Sequence, residues 1–392
     1  MAGALQAQVV VAGAGPVGLV AALVLARANI EVLVIEKRSG LNTASKASTY
    51  HPPTLEILAA LGVMDEVLAQ GEIVGHIQYR TPEGPFAGFT MADLAEQTAY
   101  PFRLHLEQSR VTPLLLAQLQ ALPNATILFD TAFDSVEQNE TGLVVHALRD
   151  GVTVEIKAQY LLGTDGAQSA VRQALGVAFD GTVYPDKILR VMTTDDLDVV
   201  LPAIAPISYL FNGAKSVSFL KMPDCWRIIL RVPGSVPEET ALRDDWLLAR
   251  LQEALPSWAD LPTIVGRDLY GASLRVASDY FVGRAFLAGD SAHVTNTRGG
   301  MNMNCGVHDA FTLANAMIRG LRENDITVVE AAARERKRIA DEMLIPRTDR
   351  NVSGGSAWLE QIREISASQG SARDYLATAA MLDMVERSQP AA

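Results

Sequence analysis

Val9–Ala12 is a run of four apolar residues, and from Pro16 onward Val17, Val20, Ala21, Val24, Leu25 and Ala28 fall on one helical face. A second apolar run, Val32–Ile35, ends in Glu36, as expected of a strand buried on both faces of a parallel sheet. Strand, helix and strand within about thirty residues make a βαβ unit, with Pro16 where a helix tolerates proline, in its first turn. Helices are predicted over 54–61, stopped by Gly62, and over 112–119, with Thr112 as cap and Pro113 at the first helical position. Residues 73–89 read as strands, and 143–148 and 152–156 flank an Arg149-Asp150-Gly151 turn, a hairpin signal. From about 181 to 265 the character changes: short β-rich runs at 207–211, 216–221 and 226–232 precede a helix near Asp244–Ala254, as in an inserted sheet domain. Residues 286–288 return to a buried strand, and Val307, Ala310, Phe311, Ala314 and Ile318 mark a long amphipathic helix. The last seventy residues read as charged helices with a loop near 352–355 and a frayed tail at 388–392.

A chain of 392 residues with 49% apolar and 20% charged side chains is globular, has two or three domains, and is neither a hormone-sized peptide nor a disordered tail. Two cysteines, Cys225 and Cys305, give no disulfide framework and no C-x-x-C pair, which fits a reducing, cytoplasmic setting. Thirty-three basic against forty-five acidic residues leave a net charge of −12 with no basic stripe, so nucleic acid is not an expected partner. The uncharged run 9–26 is about as long as a membrane span, but Gly13, Gly15, Pro16 and Gly18 interrupt it and no basic residue precedes it. It reads as strand, turn and helix, and no membrane association is expected. Apolar positions on the C-terminal helices suit a core or a partner equally, leaving monomer and homodimer open.

Three stretches carry chemistry. The first is Gly13-Ala14-Gly15-Pro16-Val17-Gly18 with Glu36 closing the next strand. Gly13 allows the tight turn, Gly15 lets a pyrophosphate approach the backbone, Gly18 lets helix and strand pack closely, and Glu36 can accept hydrogen bonds from a ribose. This is a dinucleotide-binding signal that does not choose between FAD and NAD. The second, 163–172 (GTDGAQSAVR), follows another apolar strand; by residue type alone it is equally well a polar turn with Ser169 as helix cap. The third, 289–310 (GDSAHVTNTRGGMNMNCGVHDA), places an acid at a strand end, then a glycine-rich loop, then a helix N-terminus near 299–304, suited to a partial negative charge such as the pyrimidine edge of a reduced flavin. His293 has no carboxylate at ligand spacing and is read as structural rather than as a base or metal ligand, and His308 with Asp309 as a packing or capping pair.

Together, in this order, these stretches resemble the class A flavin-dependent aromatic hydroxylases, the para-hydroxybenzoate hydroxylase family, over roughly 1–320. The resemblance implies an α/β fold: a Rossmann-like βαβ FAD-binding domain (1–72, 101–180 and 266–320) interrupted by a mostly antiparallel α+β substrate domain (73–100 and 181–265), with a C-terminal helical segment (321–392). It implies that Gly13, Gly15, Gly18, Glu36 and Lys37 hold the ADP half of FAD, and Lys46 and Gln108 the pyrophosphate and ribityl region. Asp290 falls on the ribityl-phosphate side, and Gly300, Met303 and Asn304 bring backbone amides to the flavin pyrimidine. Asp165 and Arg172 fall in the motif credited with FAD and NAD(P)H contacts, and Arg227 aligns with an arginine that approaches the flavin. The chain also departs from the pattern: Lys46 replaces an arginine, Asn296-Thr297 a proline pair, and Asn302 a glycine whose positive φ asparagine can adopt.

The chemistry so implied belongs to the cofactor. NADPH or NADH reduces FAD, dioxygen adds to give a flavin C4a-hydroperoxide, and its terminal oxygen passes to a phenolic or heteroaromatic small molecule. The side chains then exclude water, steady the flavin charge and activate the ring, with Arg227, Tyr209 and His51 as catalytic candidates and Phe211 and Phe219 as further cavity residues. The alternatives are a flavoprotein oxidoreductase without oxygen insertion and a flavoprotein that sequesters an aromatic ligand.

Overall fold

The structure, a computed structural model, describes residues 5–44, 47–212, 215–353 and 356–385. Its centre is the predicted parallel sheet. Val9–Ala12 pairs with Val32–Ile35 on one side and Tyr160–Gly163 on the other, Ala12 standing level with Ile35 and Gly163. Ala125–Leu128 and Ala285–Leu287 extend the two edges, and Phe281–Val282 adds an antiparallel strand. The three central strands are buried throughout: the helix Pro16–Arg27, itself packed on Gln108–Gln120, and a separate four-stranded sheet lie against them. That smaller sheet contains the expected hairpin, Leu143–Arg149 against Val152–Ala158, turning through Asp150 and Gly151 at φ 52° and 74°. The run 9–26 is therefore strand, turn and helix, and no described helix is long and apolar enough to cross a membrane.

The second large element is an eight-stranded mixed sheet. Its order is His293–Val294, Gly266–Ala277, Phe179–Thr193, Trp226–Val232, Lys215–Lys221, Ile207–Asn212, His76–Thr81 and Gly84–Thr90. All pairs are antiparallel except Ile207–Asn212 with His76–Thr81. The strands predicted at 73–89 thus join those predicted at 207–232. Gly266–Ala277, placed by the sequence reading with the FAD-binding part, runs antiparallel to Phe179–Thr193 from Ala277 opposite Phe179 to Gly266 opposite Met192, so it belongs to this sheet. One side of the sheet packs on the helix Asp244–Ala254, which falls where expected.

Three local expectations shift. The helix expected at 112–119 begins a turn earlier, at Gln108, so Pro113 lies inside it and Thr112 donates its hydroxyl to the Gln108 carbonyl at 3.2 Å instead of capping. The helix expected at 54–61 is Pro52–Ala60. Val352 and Ser353, expected in a loop, end the helix Ile345–Ser353, whereas 354–355 and the tail 388–392 lie outside the described residues. The apolar residues Ile362, Leu376 and Ala380 of the C-terminal segment pack within the chain, in a cluster with Tyr79, Phe89 and Ile207.

Candidate active site

A cavity of about 780 Å³ runs from the first glycine turn to one face of the eight-stranded sheet. At the turn, the backbone decides what fits. Gly13 has φ 109°, and a Cβ there would lie 2.6 Å from the Thr164 carbonyl oxygen; one on Gly18 would lie 2.0 Å from the Gly13 carbonyl oxygen. A Cβ on Gly15 meets nothing within 4 Å, because the space above it is the cavity. Glu36 is buried at the end of its strand, accepting hydrogen bonds from the Ala14 amide at 2.9 Å and the Arg38 amide at 3.0 Å. This bridge ties the turn to the next strand. Lys37, Arg38 and Gln108 line the same end, and Lys46 lies outside the described residues.

The second stretch combines both of its readings. Ser169 caps the short helix through the Arg172 amide at 2.9 Å, while Asp165 Oδ2 accepts from the Ala170 and Val171 amides at 2.7 and 3.2 Å. Asp165 lines the cavity, and its buried Oδ1 has no hydrogen-bond partner among the described residues. Arg172 does not line the cavity. Its guanidinium donates to the Ser291 and Ala167 carbonyls, both at 2.9 Å, and lies over the Phe179 ring.

In the third stretch, Gly299 and Gly300 carry the positive φ angles, 91° and 64°, and the helix Met301–Glu323 follows. A Cβ on Gly300 would meet the Thr49 side chain at 2.8 Å. Asn302, expected to take a positive φ, is instead helical: its side chain donates to Asp290 Oδ1 at 2.7 Å and meets His293 Nδ1 at 3.1 Å. Asp290, Gly300 and Met303 line the cavity. Asn304 does not; buried beneath the loop, it donates to the Thr49 and Gly300 carbonyls and accepts from the His51 amide. His51, a catalytic candidate from sequence, is also absent from the lining. Its ring Nε2 meets the Gly299 carbonyl at 2.9 Å, and burial, followed by the Arg103 charge, holds its pKa well below the ordinary imidazole value. A neutral, buried imidazole clamped to the loop is a positioning group and not a base.

Below the loop lies a buried ion network. His293 Nε2 meets Asp309 Oδ2 at 2.8 Å and Arg336 Nε meets Asp309 Oδ1 at 2.7 Å, all three residues being inaccessible to solvent. Asp309 is the carboxylate partner of His293 that local spacing does not show; it stands 16 residues downstream, on the helix. Burial opposes charge on both groups, yet Arg336 and His293 hold Asp309 well below the usual carboxylate range, and Cys305 and Asp309 hold His293 well above its ordinary value. His293, Cys305 and Asp309 offer metal-ligand atoms within 4.8 Å of one another, but Arg336 also reaches Cys305 Sγ at 3.3 Å, so a guanidinium already supplies the cation. His308 turns away from Asp309 and meets Thr54 Oγ1 at 3.0 Å.

At the other end, strand register sets the lining. Tyr209 stands opposite Ser218, Ser218 opposite Ile229, Ile229 opposite Arg190 and Arg190 opposite Asp268; all five line the cavity. Two residues along lie Ser216, Arg231, Ile188 and Tyr270, and two residues back lie Ile207, Leu220 and Arg227. Phe219, a cavity candidate from sequence, alternates to the opposite face, where it is buried in the core against Leu210 and Ile228. Arg227 is buried, not exposed: it pairs with Glu107 and donates to Ser48 Oγ at 2.6 Å. Phe211 lines a smaller aromatic cavity of about 130 Å³ that shares Tyr209, Arg103, Arg298 and Gly299 with the large one. The sequence reading missed Arg231, Arg298, Asp268 and Tyr270; alternation from Arg227 was the signal available for Arg231.

Residues 6–345 match the family model described as FAD binding domain. The chain belongs to that family. It is 30% identical to 6-hydroxy-3-succinoylpyridine 3-monooxygenase HspB of Pseudomonas putida over 95% of this chain and 97% of the relative. It is 28% identical to para-nitrophenol 4-monooxygenase of a Pseudomonas species over 90% of this chain and 87% of the relative. The crystal structure of p-nitrophenol 4-monooxygenase from Pseudomonas putida superposes with a TM-score of 0.86 at 26% identity, covering 95% of this chain and 97% of that one. This member of the FAD-binding family is an FAD-dependent aromatic monooxygenase. Its own residues fit the cofactor: a glycine turn open above Gly15, a buried carboxylate oxygen on Asp165 without a partner, and a loop at Gly299–Gly300 that tolerates no side chain where it meets Thr49.

Proposed function

We propose that this monooxygenase draws electrons from NADH or NADPH and inserts one oxygen atom of dioxygen into a phenolic or heteroaromatic ring in a cytoplasmic setting. The observation that carries the proposal is the continuity of one cavity from the glycine turn, past the Gly299–Gly300 loop, to the Tyr209 and Arg227 face of the sheet. FAD, when bound, supplies the redox chemistry that links nicotinamide oxidation to oxygen transfer. The amides of the first turn and the positive end of the helix Pro16–Arg27 hold the pyrophosphate, while Glu36 and Lys37 face the adenosine side. Gln108, Asp165 and Asp290 line the middle of the cavity and take the ribityl region. Gly300 and Met303, at the start of the long helix, present backbone amides where negative charge develops on the ring system. Asn304 and His51 serve that function indirectly by holding the loop.

On the substrate side no histidine is among the described lining residues, so ring activation falls to the Tyr209 hydroxyl and the arginine-rich face. The sheet closes over the ring and keeps water from it. The names of the two relatives, para-nitrophenol and 6-hydroxy-3-succinoylpyridine monooxygenases, describe hydroxylated aromatic rings, one carbocyclic and one heterocyclic. In the same proposal, Gly266–Ala277 moves from the FAD-binding part to the substrate part. The test is a panel of phenols, benzoates and hydroxypyridines screened for acceleration of flavin reduction by NADPH and NADH, followed by turnover under ¹⁸O₂. Substrate-stimulated oxidation with one ¹⁸O atom in the product is expected. An oxidoreductase without insertion yields unlabelled product, and a sequestering protein shows no stimulated oxidation.

A further inference from the structure

We propose that Asn302 is a positioning residue for the cofactor: its side-chain amide joins a buried, charged His293 to Asp290 and so sets the Asp290 carboxylate toward FAD. The inference rests on the reading that Asp290 takes the ribityl region. Hydrogen-bond directions carry it. A carboxylate oxygen only accepts, so the contact of Asn302 with Asp290 Oδ1 at 2.7 Å fixes the amide nitrogen toward Asp290. The amide oxygen then faces His293 Nδ1 at 3.1 Å and, being an acceptor, requires a proton on that nitrogen. His293 Nε2 meets Asp309 Oδ2 at 2.8 Å, and Oδ1 of the same carboxylate accepts from Arg336 Nε at 2.7 Å. Nε2 is therefore protonated as well, and the ring is an imidazolium without solvent access.

The groups around the imidazolium make it a fixed support. Asp309 Oδ2 also accepts from the Gly289 amide at 3.1 Å, so one carboxylate grips the chain on both sides of Asp290. Ser291 holds the same turn, Gly289–Ser291, by donating to the Gly163 carbonyl at 2.6 Å. Tyr280 stacks on the imidazole with ring centres 6.4 Å apart and, its pKa pushed up by burial, brings no charge. Burial opposes charge on His293, and Cys305 and Asp309 on the following helix outweigh it. Charge therefore alternates from Arg336 to Asp309 to His293 and, across the neutral Asn302, to Asp290. Asn302 and Asp290 both line the cavity, whereas His293, Asp309 and Arg336 lie behind it. The bridging side chain must accept from an imidazolium and donate to a carboxylate at once, which an amide does with two atoms on one carbon. A carboxylate held by such a charge-backed donor has lost its rotamer freedom before the cofactor arrives, so that ordering cost does not fall on binding.

The test measures FAD dissociation constants by flavin fluorescence for the full chain, Asn302→Leu, Asp290→Ala and the double variant. Leucine has the shape of asparagine and makes neither bond; Asn302→Ala serves if the leucine variant does not fold. Asn302→Leu is expected to weaken FAD about tenfold, as loss of a hydrogen bond to a charged group requires. In the Asp290→Ala background it should change FAD binding by less than about twofold, because the amide acts through that carboxylate. No weakening by Asn302→Leu, or equal weakening in both backgrounds, overturns the proposal; the ribityl reading then stands on the effect of Asp290→Ala alone. If Asp290→Ala leaves FAD binding unchanged, the ribityl reading falls and the proposal falls with it. A second measurement needs no cofactor: ¹⁵N spectra of the histidine-labelled, FAD-free chain at about pH 8, where an ordinary imidazole, near 6.5, is neutral. One imidazole with protons on both nitrogens is expected, and Asn302→Leu should shift its Nδ1 signal. Absence of any such ring removes the charge on His293 and overturns the proposal.

Discussion

The two ends of the cavity are specified in different ways. At the first turn the constraint is backbone against backbone: a Cβ on Gly18 collides with the Gly13 carbonyl, and one on Gly13 with Thr164. At the sheet face the lining is made by side chains, and the parity of a strand decides whether each meets the cavity or the core. Tyr209 and Phe219 are aromatic residues on neighbouring strands, yet Tyr209 is level with Ser218 and Phe219 with Ser208, so they point to opposite sides. The cofactor end is therefore intolerant of change, and the substrate end can be rewritten one position at a time. That difference explains how one family retains FAD while its members act on different rings.

The comparison breaks most severely where charge is buried beneath the cofactor loop. Arg336→Met leaves Asp309 without its guanidinium partner and should cost about 3–5 kcal/mol in urea unfolding. A loss under about 1 kcal/mol would mean that the network is incidental to the loop above it. At the sheet, Phe219→Ala should cost about 3 kcal/mol by leaving a cavity, with ligand preference unchanged. Tyr209→Phe should lie within about 0.5 kcal/mol of the parent in stability yet alter KM for the substrate. Equal effects of these two on ligand binding would contradict the register.

Next in size is the pair at the turn. Gly18→Ala forces helix and strand apart and should cost about 1–3 kcal/mol, with FAD lost on purification. Gly15→Ala has room for its methyl group and should leave the melting temperature of the FAD-free protein unchanged while weakening FAD about tenfold, a loss of about 1.4 kcal/mol. Fluorescence titration with FAD separates the two.

Legibility in the sequence followed the same division. Strand, glycine turn, helix and closing acid are local, so the whole βαβ unit and its open Gly15 could be read from residues 9–36. The sheet strands could be located but not faced, because facing depends on pairing across Ile207–Asn212, Lys215–Lys221 and Trp226–Val232. His51 was least legible. Its partner carbonyl, at Gly299, is 248 positions away, and nothing within one turn of either residue signals the contact. The pairing of Asp309 with His293, in place of the expected pairing with His308, was hidden for a related reason: the 16-residue spacing suits no local motif, and a glycine loop and two helical turns intervene before the carboxylate comes back beneath the imidazole.

The predicted effect most spread over conditions concerns acid stability at the junction of the two regions. His105 is buried, and its Nδ1–H donates to the Lys221 carbonyl at 2.6 Å, joining the strand Arg103–His105 to the end of a sheet strand. Burial lowers its pKa to about 4; the carbonyl bond opposes the shift, and Arg103 and Arg227 add to it. The unfolded chain, with an imidazole near 6.5, therefore binds more protons between about pH 6.5 and 4, so stability falls as pH falls through that window. His51 and His308, also shifted down by burial, lose stability in the same direction. His293 is shifted up, so its contribution is already complete below about 6.5 and adds no slope there. His105→Asn should reduce the pH dependence of unfolding in this window by about one proton, or about 1.4 kcal/mol per pH unit. Urea titrations at half-unit intervals measure it. An unchanged slope would show that His105 stays hydrated, and that the seam between cofactor end and sheet face admits water.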